Sequence, residues 1–259
     1  MTDFLDVLAN ESIERTSRGY YNVQDHVSGE PARFVKAIAT CKHVPIVAEI
    51  KKRSPSLGII RERIDHVQIC KAFENGGAVG ISVITERDRF GGSLDLLRKV
   101  RQTARLPLLM KDIVTNKAQI EAASRLGANA VLLISTLFQR RYCQTPIQDM
   151  IKLVHSENLE VLLETHDEGE FSYALGTDAD MIGINNRDLR DLSVDPETAS
   201  RILKNHHPDD RTVVVESGIQ DRNVLVQLLK AGADAFLIGT SIMKARDVEE
   251  KLREFTMVL

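Results

Sequence analysis

From residue 46 onward the chain repeats one pattern: a short apolar run, a polar or glycine-containing turn, then an amphipathic stretch with helical spacing. That alternation marks βα units. The apolar runs cover 46–50, 79–84, 107–110, 130–134, 161–163, 181–184, 212–215 and 235–238, eight in all. Most are continuously apolar, as expected of parallel strands buried on both faces; a half-solvated antiparallel strand would alternate. A closed barrel or a large open sheet meets that requirement. An open doubly wound sheet usually brings a Gly-rich phosphate loop after its first strand. Here that position holds Lys51-Lys52-Arg53-Ser54-Pro55, and the chain contains no GxGxxG or P-loop. The pattern therefore predicts an α/β fold, a (β/α)8 TIM barrel.

The predicted helices carry recognisable ends. Asp195-Pro196-Glu197 reads as N-cap, first-turn proline and first-turn acid, with Ala199, Ile202 and Leu203 as the apolar stripe behind it. Another helix begins at Asp221 and ends near Gly232. Gly127-Ala128-Asn129-Ala130 and Gly232-Ala233-Asp234-Ala235 are similar helix-to-strand loops, each offering a glycine for a left-handed cap, and look like an echo between half-barrels. Residues 1–44 lack the βα rhythm. Their amphipathic pieces, around 4–17 and 31–40, predict an N-terminal helical extension capping one barrel end. Residues 45–259 form the barrel, the whole being a single domain.

Composition narrows the function classes. The 259 residues are 43% hydrophobic and 27% charged, as in ordinary globular proteins. A formal net charge of −3 with interspersed signs offers no basic stripe for a nucleic acid. The three cysteines, Cys41, Cys70 and Cys143, have no disulfide or zinc spacing and are expected to be reduced. No apolar run reaches the ~18 residues that span a bilayer, and the first ten residues carry two aspartates in place of a signal peptide's basic and apolar regions. No membrane partner is expected, and the default location is cytoplasmic.

In such a barrel the chemistry collects where the strands end. Glu49, Lys51 and Ser54 sit at or after the first run, Lys111 and Asp112 after the third, Glu164 after the fifth. Asn185, Asn186 and Arg187 follow the sixth, Glu216, Ser217 and Gly218 the seventh, and Gly239, Thr240 and Ser241 the eighth. Charged and amide groups at so many strand ends are costly to bury unless paired or used. Lys51 and Lys111 each abut an apolar run with an acid nearby in sequence, Glu49 and Asp112. Glu164 is freed from helix capping by Thr165-His166-Asp167, which supply better caps. The bland reading of Glu216 is a structural ion pair with Arg187.

Ser217-Gly218 and Gly239-Thr240-Ser241 stand on the last two strands, where barrels commonly hold a phosphate with backbone N–H groups; Ser54 offers a third side, and Lys51 a nearby cation. Gly239 is expected to let the main chain approach the anion, so a side chain there should obstruct binding more than catalysis. His166 reads as a loop residue and His206-His207 as part of a polar loop. No metal is assigned.

Together these segments resemble one family. Ala48-Glu49-Ile50-Lys51-Lys52-Arg53-Ser54-Pro55-Ser56 resembles the signature strand and loop of indole-3-glycerol phosphate synthases. The likeness continues in order through Ser82-Val83-Ile84-Thr85-Glu86, Phe90-Gly91-Gly92-Ser93, Leu109-Met110-Lys111-Asp112, Gly183-Ile184-Asn185-Asn186-Arg187-Asp188-Leu189, Val215-Glu216-Ser217-Gly218-Ile219 and Leu237-Ile238-Gly239-Thr240-Ser241-Ile242-Met243.

The resemblance implies a lyase of tryptophan biosynthesis that uses no cofactor. It would close the ring of 1-(2-carboxyphenylamino)-1-deoxyribulose 5-phosphate with loss of carbon dioxide and water. By the family's pattern Lys111 is the general acid, Glu164 the acid/base carboxylate of the dehydration, Lys51 the contact to the substrate carboxylate and a proton source, and Glu49 the group orienting Lys51 and the substrate hydroxyls. Asn185 binds the reacting region, and Glu216 and Ser217 complete the wall. Ser54, Gly218, Gly239 and Thr240 resemble the phosphate cradle.

The chain departs from the pattern at Ile113 and Arg89, where aromatics are usual. Phe90, Leu133 and Leu189 are expected to compensate, beside Arg187. The expected partner is one small phosphorylated substrate; the sequence assigns no association with other tryptophan-pathway enzymes. Two rival readings are another phosphate-binding barrel, such as a sugar-phosphate isomerase or a Schiff-base aldolase with Lys111 as nucleophile, and a catalytically silent binding subunit.

Overall fold

The computed structural model describes residues 2–27, 32–206, 208 and 211–257; Pro31, at the start of the second predicted amphipathic piece, and His207 lie outside them. Eight parallel strands close into a barrel: β1 (Ile46–Ile50), β2 (Gly80–Ile84), β3 (Leu108–Lys111), β4 (Ala130–Ile134), β5 (Glu160–Thr165), β6 (Met181–Asn185), β7 (Thr212–Glu216) and β8 (Ala235–Ile238). Each pairs with its sequence neighbours, and β8 closes on β1 with Val47 opposite Leu237. The predicted TIM barrel is therefore the fold.

Side-chain parity divides each strand. Val47, Leu109, Leu132, Leu162, Met181, Val214 and Leu237 pack with one another inside the barrel. Their neighbours Ala48, Met110, Val131, Leu133, Ile182, Val215 and Ile238 pack outward under the helices. Both faces are buried, which is why the runs read as continuously apolar.

The helix signals hold with one correction. Asp221 caps the helix Arg222–Ala231 by accepting from the Asn223 and Val224 amides, and Gly232 ends it at φ 106°. Gly127 likewise takes φ 75°. The helix expected at Asp195 starts only at Thr198. Asp195 instead accepts from the Glu197 amide in a turn, while its own N–H donates to the Asn186 carbonyl. The strand-to-helix loop holds the chain extended there, and the proline sits before the helix.

The extension forms α1 (Phe4–Ser17) and α2 (Phe34–Ala39). They cap opposite ends of the barrel, not one. Helix α1, started by a reciprocal Asp3/Asp6 capping box, lies over the C-terminal mouth. Ser12 donates to the Ile113 carbonyl at 2.6 Å, and the Phe4 amide to Arg190, both in loops that follow strands. Helix α2 closes the floor. Its Phe34 and Val35 amides donate to the Glu160 carboxylate at 2.5 and 3.4 Å. The Phe34 ring fills the space beside Gly80, where a Cβ would come within 2.2 Å of it. Glu160 and Gly80 are the first residues of β5 and β2, and both open barrel ends need an apolar cover. Periodicity shows that a helix has a face to bury without showing at which end.

Phe34 is 1% exposed. Phe34→Ala is expected to cost about 3–5 kcal/mol, a fall in Tm of roughly 10 °C, while kcat and KM of the folded protein stay unchanged because the floor is remote from the mouth. Calorimetry alongside steady-state kinetics checks both.

Candidate active site

Strands β3, β5, β6 and β7 run past their apolar stretches and so take in Lys111, Glu164, Asn185 and Glu216, while Glu49 lies inside its own run. Lys111 ends β3, Asn185 ends β6, Glu216 ends β7, and Glu164 and Glu49 lie within β5 and β1. Each is two residues beyond an inward-facing position: Leu109, Gly183, Val214, Leu162 and Val47. The backbone ladder continues where the lining turns polar, so all five side chains rise into the mouth.

There they form one charge cluster. The Lys111 ammonium makes a short ion pair with Glu216 and lies 3.4 Å from Glu164 Oε2. Burial works against its charge, but Glu216, Glu164 and Glu49 outweigh burial and hold it above the usual lysine range. Glu164 and Glu216 diverge. Burial favours the neutral acid in Glu164, yet Lys111 and then His166 overcome it and hold the carboxyl at about 2. In Glu216 burial prevails over Lys111, and the nearby carboxylates Glu164 and Glu49 add to it, pushing the group up to about 7. The two carboxyls share one lysine, so the proton of either is tied to the charge of the other.

Glycines make the room. A Cβ on Gly183 would come 2.9 Å from Glu216 Oε1, and one on Gly239 would come 2.5 Å from Glu49 Oε1. Gly239 is thus a glycine because Glu49 packs across it, a constraint that its expected role toward a phosphate does not capture. Glu49 Oε1 also holds Lys51 Nζ at 2.6 Å, so Lys51 is engaged with Glu49. Glu49 Oε2 and Glu216 Oε1 are buried with no hydrogen-bond partner among the described residues, leaving two acceptors for donors on a bound molecule.

The cluster opens into a cavity of about 610 Å³, and every predicted site residue lines it except Leu133. Leu133 belongs to the outer layer and is fully buried under the helices; Leu132 and Ile134, one step away on β4, face the cavity. With Leu8 of α1, Phe90, Ile113 and Leu189, these two build an apolar wall. Ser54, Ser217, Gly218, Gly239 and Thr240 line the cavity as well. Ser217 is held at φ 64°, left-handed and unusual for serine, and the Asn186 side-chain amide donates to its carbonyl at 3.1 Å. Arg187 reaches Ser56 and the Leu192 carbonyl, tying the loop after β1 to the loop after β6; it does not pair with Glu216.

Asp112 does not serve Lys111. Its side chain accepts from Thr85 and Tyr21 at 2.6 and 3.1 Å and faces Arg15 of α1, anchoring the extension to the barrel. Arg89, where an aromatic was expected, pairs with Glu11 on α1. His166 is the residue that sequence reasoning undervalued. Its Nε2 lies 3.2 Å from Glu164 Oε1 and its Nδ1 3.2 Å from Glu170 Oε2. Burial opposes protonation of the ring, but the two carboxylates raise it to about 10. The available signal was the i, i+4 spacing of His166 and Glu170 directly after Glu164.

The cysteines are free, as expected, and no helix among the described residues is long and apolar enough to cross a membrane.

Comparison with known proteins sharpens the chemistry. Residues 9–255 match the family model described as indole-3-glycerol phosphate synthase. A protein of that name from Acetivibrio thermocellus is 41% identical over 88% of this chain and 86% of its own length. Another, from Pyrococcus furiosus, is 39% identical over 85% of this chain and 95% of its own. A solved structure of thiamine phosphate pyrophosphorylase from Pyrococcus furiosus superposes with a TM-score of 0.59 at 18% identity, covering 83% of this chain and 94% of that one, a likeness of fold alone.

The ion pairs of His166 carry a pH signature. A ring whose folded pKa is raised to about 10 from an ordinary 6.5 stabilises the fold fully below pH 6.5, and that stability is lost as pH rises through 10. The Tm gap between wild type and His166→Gln is therefore expected to be widest at and below pH 6.5 and to close towards pH 10. Thermal melts across that range check it; a constant gap would contradict the assignment.

Proposed function

The chain belongs to the indole-3-glycerol phosphate synthase family, and we propose from that premise how its barrel mouth divides the work of the reaction. The enzyme is a carboxy-lyase of tryptophan biosynthesis. It closes the indole ring of 1-(2-carboxyphenylamino)-1-deoxyribulose 5-phosphate, releasing carbon dioxide and water, and so acts on a small phosphorylated substrate.

The first bond forms when the aryl carbon bearing the carboxylate attacks the ketone. A neutral ketone accepts that attack only if its oxygen gains a proton, and Lys111 is the donor. The observation that carries this reading is the ammonium of Lys111, lining the cavity and held charged by Glu216 and Glu164. Loss of carbon dioxide then restores the aromatic ring. Dehydration follows, with Glu164 accepting the proton released: its carboxyl is ionised and its Oε2 faces the Lys111 side.

Lys51, oriented by Glu49, meets the substrate carboxylate and supplies a proton to the leaving hydroxyl. The unpartnered Glu49 Oε2 and Glu216 Oε1 accept from substrate hydroxyls. Asn185 and Ser217 hold the reacting region. The anthranilate ring lies against Leu8, Phe90, Ile113, Leu132, Ile134 and Leu189, and Arg187 closes the rim. Ser54, Gly218, Gly239 and Thr240 cradle the phosphate. Because Leu8 of α1 is part of the wall, the extension and barrel act as one domain.

The same lysine argues against a Schiff-base aldolase. That chemistry needs a neutral amine, which an enzyme obtains by lowering the lysine pKa; here the neighbours raise it.

Lys111→Ala is expected to slow ring closure by about 10²- to 10⁴-fold, the range of a general acid. Lys111→Arg should not rescue it, since guanidinium keeps the charge but cannot release its proton. Single-turnover indole fluorescence on the folded variants reads this, and an alanine variant within tenfold of wild type would rule the role out.

Gly239→Ala forces Glu49 aside. Because the added Cβ points at Glu49 and a phosphate would be held by the backbone, the earlier expectation is reversed: kcat should fall with the inhibition constant for inorganic phosphate little changed. Weakened phosphate inhibition with kcat intact would return Gly239 to the cradle alone.

A further inference from the structure

His166 lies outside the lining of the substrate cavity. It borders a second cavity of about 550 Å³ between the loops after β5 and β6, together with Asp167, Asn185, Asp188 and Arg201. Its position is built. The helix α3 (Glu168–Leu175) begins at the Asp167 cap and carries Glu170 back under the imidazole. Glu170 is 4% exposed and accepts from the His166 amide at 2.9 Å and from the Thr136 hydroxyl at 2.5 Å. The order Thr136, Glu170, His166, Glu164 runs from the helix layer to the mouth, with Asp188 the further charged group within electrostatic reach of the ring.

The two oxygens of Glu164 are divided between two cations: Oε2 faces Lys111 at 3.4 Å and Oε1 faces His166 at 3.2 Å. These are its only ion-pair partners among the described residues. Charge counting shows why a second cation matters. Glu49, Glu164 and Glu216 are buried in the mouth against Lys51 and Lys111, and Lys51 is committed to Glu49. Once Lys111 gives its proton to the ketone it is neutral, and a buried carboxylate losing its only cation would take up a proton. Glu164 would then be unable to serve as the base of the later dehydration.

We propose that His166, anchored by Glu170, is a positioning residue that keeps Glu164 ionised and turned towards the reacting atoms after Lys111 has released its proton. The inference rests on the roles of Lys111 and Glu164 given above. It adds a positioning group to Lys111, Glu164 and Lys51, supplied from behind the cavity wall, where substrate cannot displace it.

The test compares kcat against pH, in single turnover, for wild type, His166→Gln and Glu170→Gln. Glutamine keeps a polar side chain and removes the charge. With His166→Gln the acid limb of kcat should move to higher pH by about one unit or more, the effect of losing an adjacent opposite charge, with KM nearly unchanged. In Glu170→Gln the ring loses one of its two carboxylates, and the alkaline limb should move down.

A separate measurement needs no turnover and no variant that might fail to fold. The ¹⁵N shifts of His166 in the wild-type protein should report an imidazolium at pH 8. A neutral ring at pH 8, or a His166→Gln rate lowered equally at every pH, would overturn the proposal while leaving the Lys111 chemistry intact. Full activity in Lys111→Ala would instead overturn the earlier reading.

Discussion

The site depends on one half-buried cation, the Lys111 ammonium. Taking the Lys111 ammonium out of water costs several kcal/mol unless paired, and the barrel meets that requirement with Glu216 and Glu164 on strands β7 and β5. Those carboxylates are themselves buried, so the solution recruits further neighbours. Gly183 leaves the space that Glu216 occupies, Gly239 leaves the space for Glu49, and His166 brings a second cation to Glu164. Glu216, Glu164 and, behind them, His166 are arranged around keeping that lysine charged.

That arrangement sets the chemistry. An ammonium whose proton is held by carboxylates is an acid awaiting a basic oxygen, and the cavity it lines also carries an apolar wall and the glycine- and hydroxyl-bearing loops after β7 and β8. The departures from the family pattern fit the same frame. Ile113 keeps its place in the wall as an aliphatic residue, and Arg89 turns to Glu11 and fastens α1 over the mouth. The apolar wall of the cavity is consequently built more from leucine and isoleucine than from aromatics.

Much of this was legible in the sequence. The continuous apolar runs predicted eight buried parallel strands, and the residues at their ends predicted which side chains share the mouth. What the sequence hid was direction. Leu133 and Leu132 are adjacent and equally apolar, and only the register decides which one faces the cavity. Asp112 adjoins Lys111 in sequence, yet the two pair with different partners, so the acids that hold the lysine come from strands β5 and β7. Helices α1 and α2 carry similar apolar faces but cover opposite barrel ends. His166 looked like a loop residue because its meaning lies in Glu164 and Glu170, which the βα turn folds onto both ring nitrogens.

The central claim is that Lys111 rests as an ammonium, and its side chain can be followed directly. In protein labelled with ¹⁵N at the lysine side chains, with Lys111→Arg used to assign the resonance, the Lys111 Nζ signal can be titrated by NMR. The account predicts an ammonium that persists beyond the ordinary lysine pKa of about 10.4, because Glu216 and Glu164 hold it. A Lys111 that loses its proton near neutrality would contradict the account, and would mark it as a nucleophile in place of an acid.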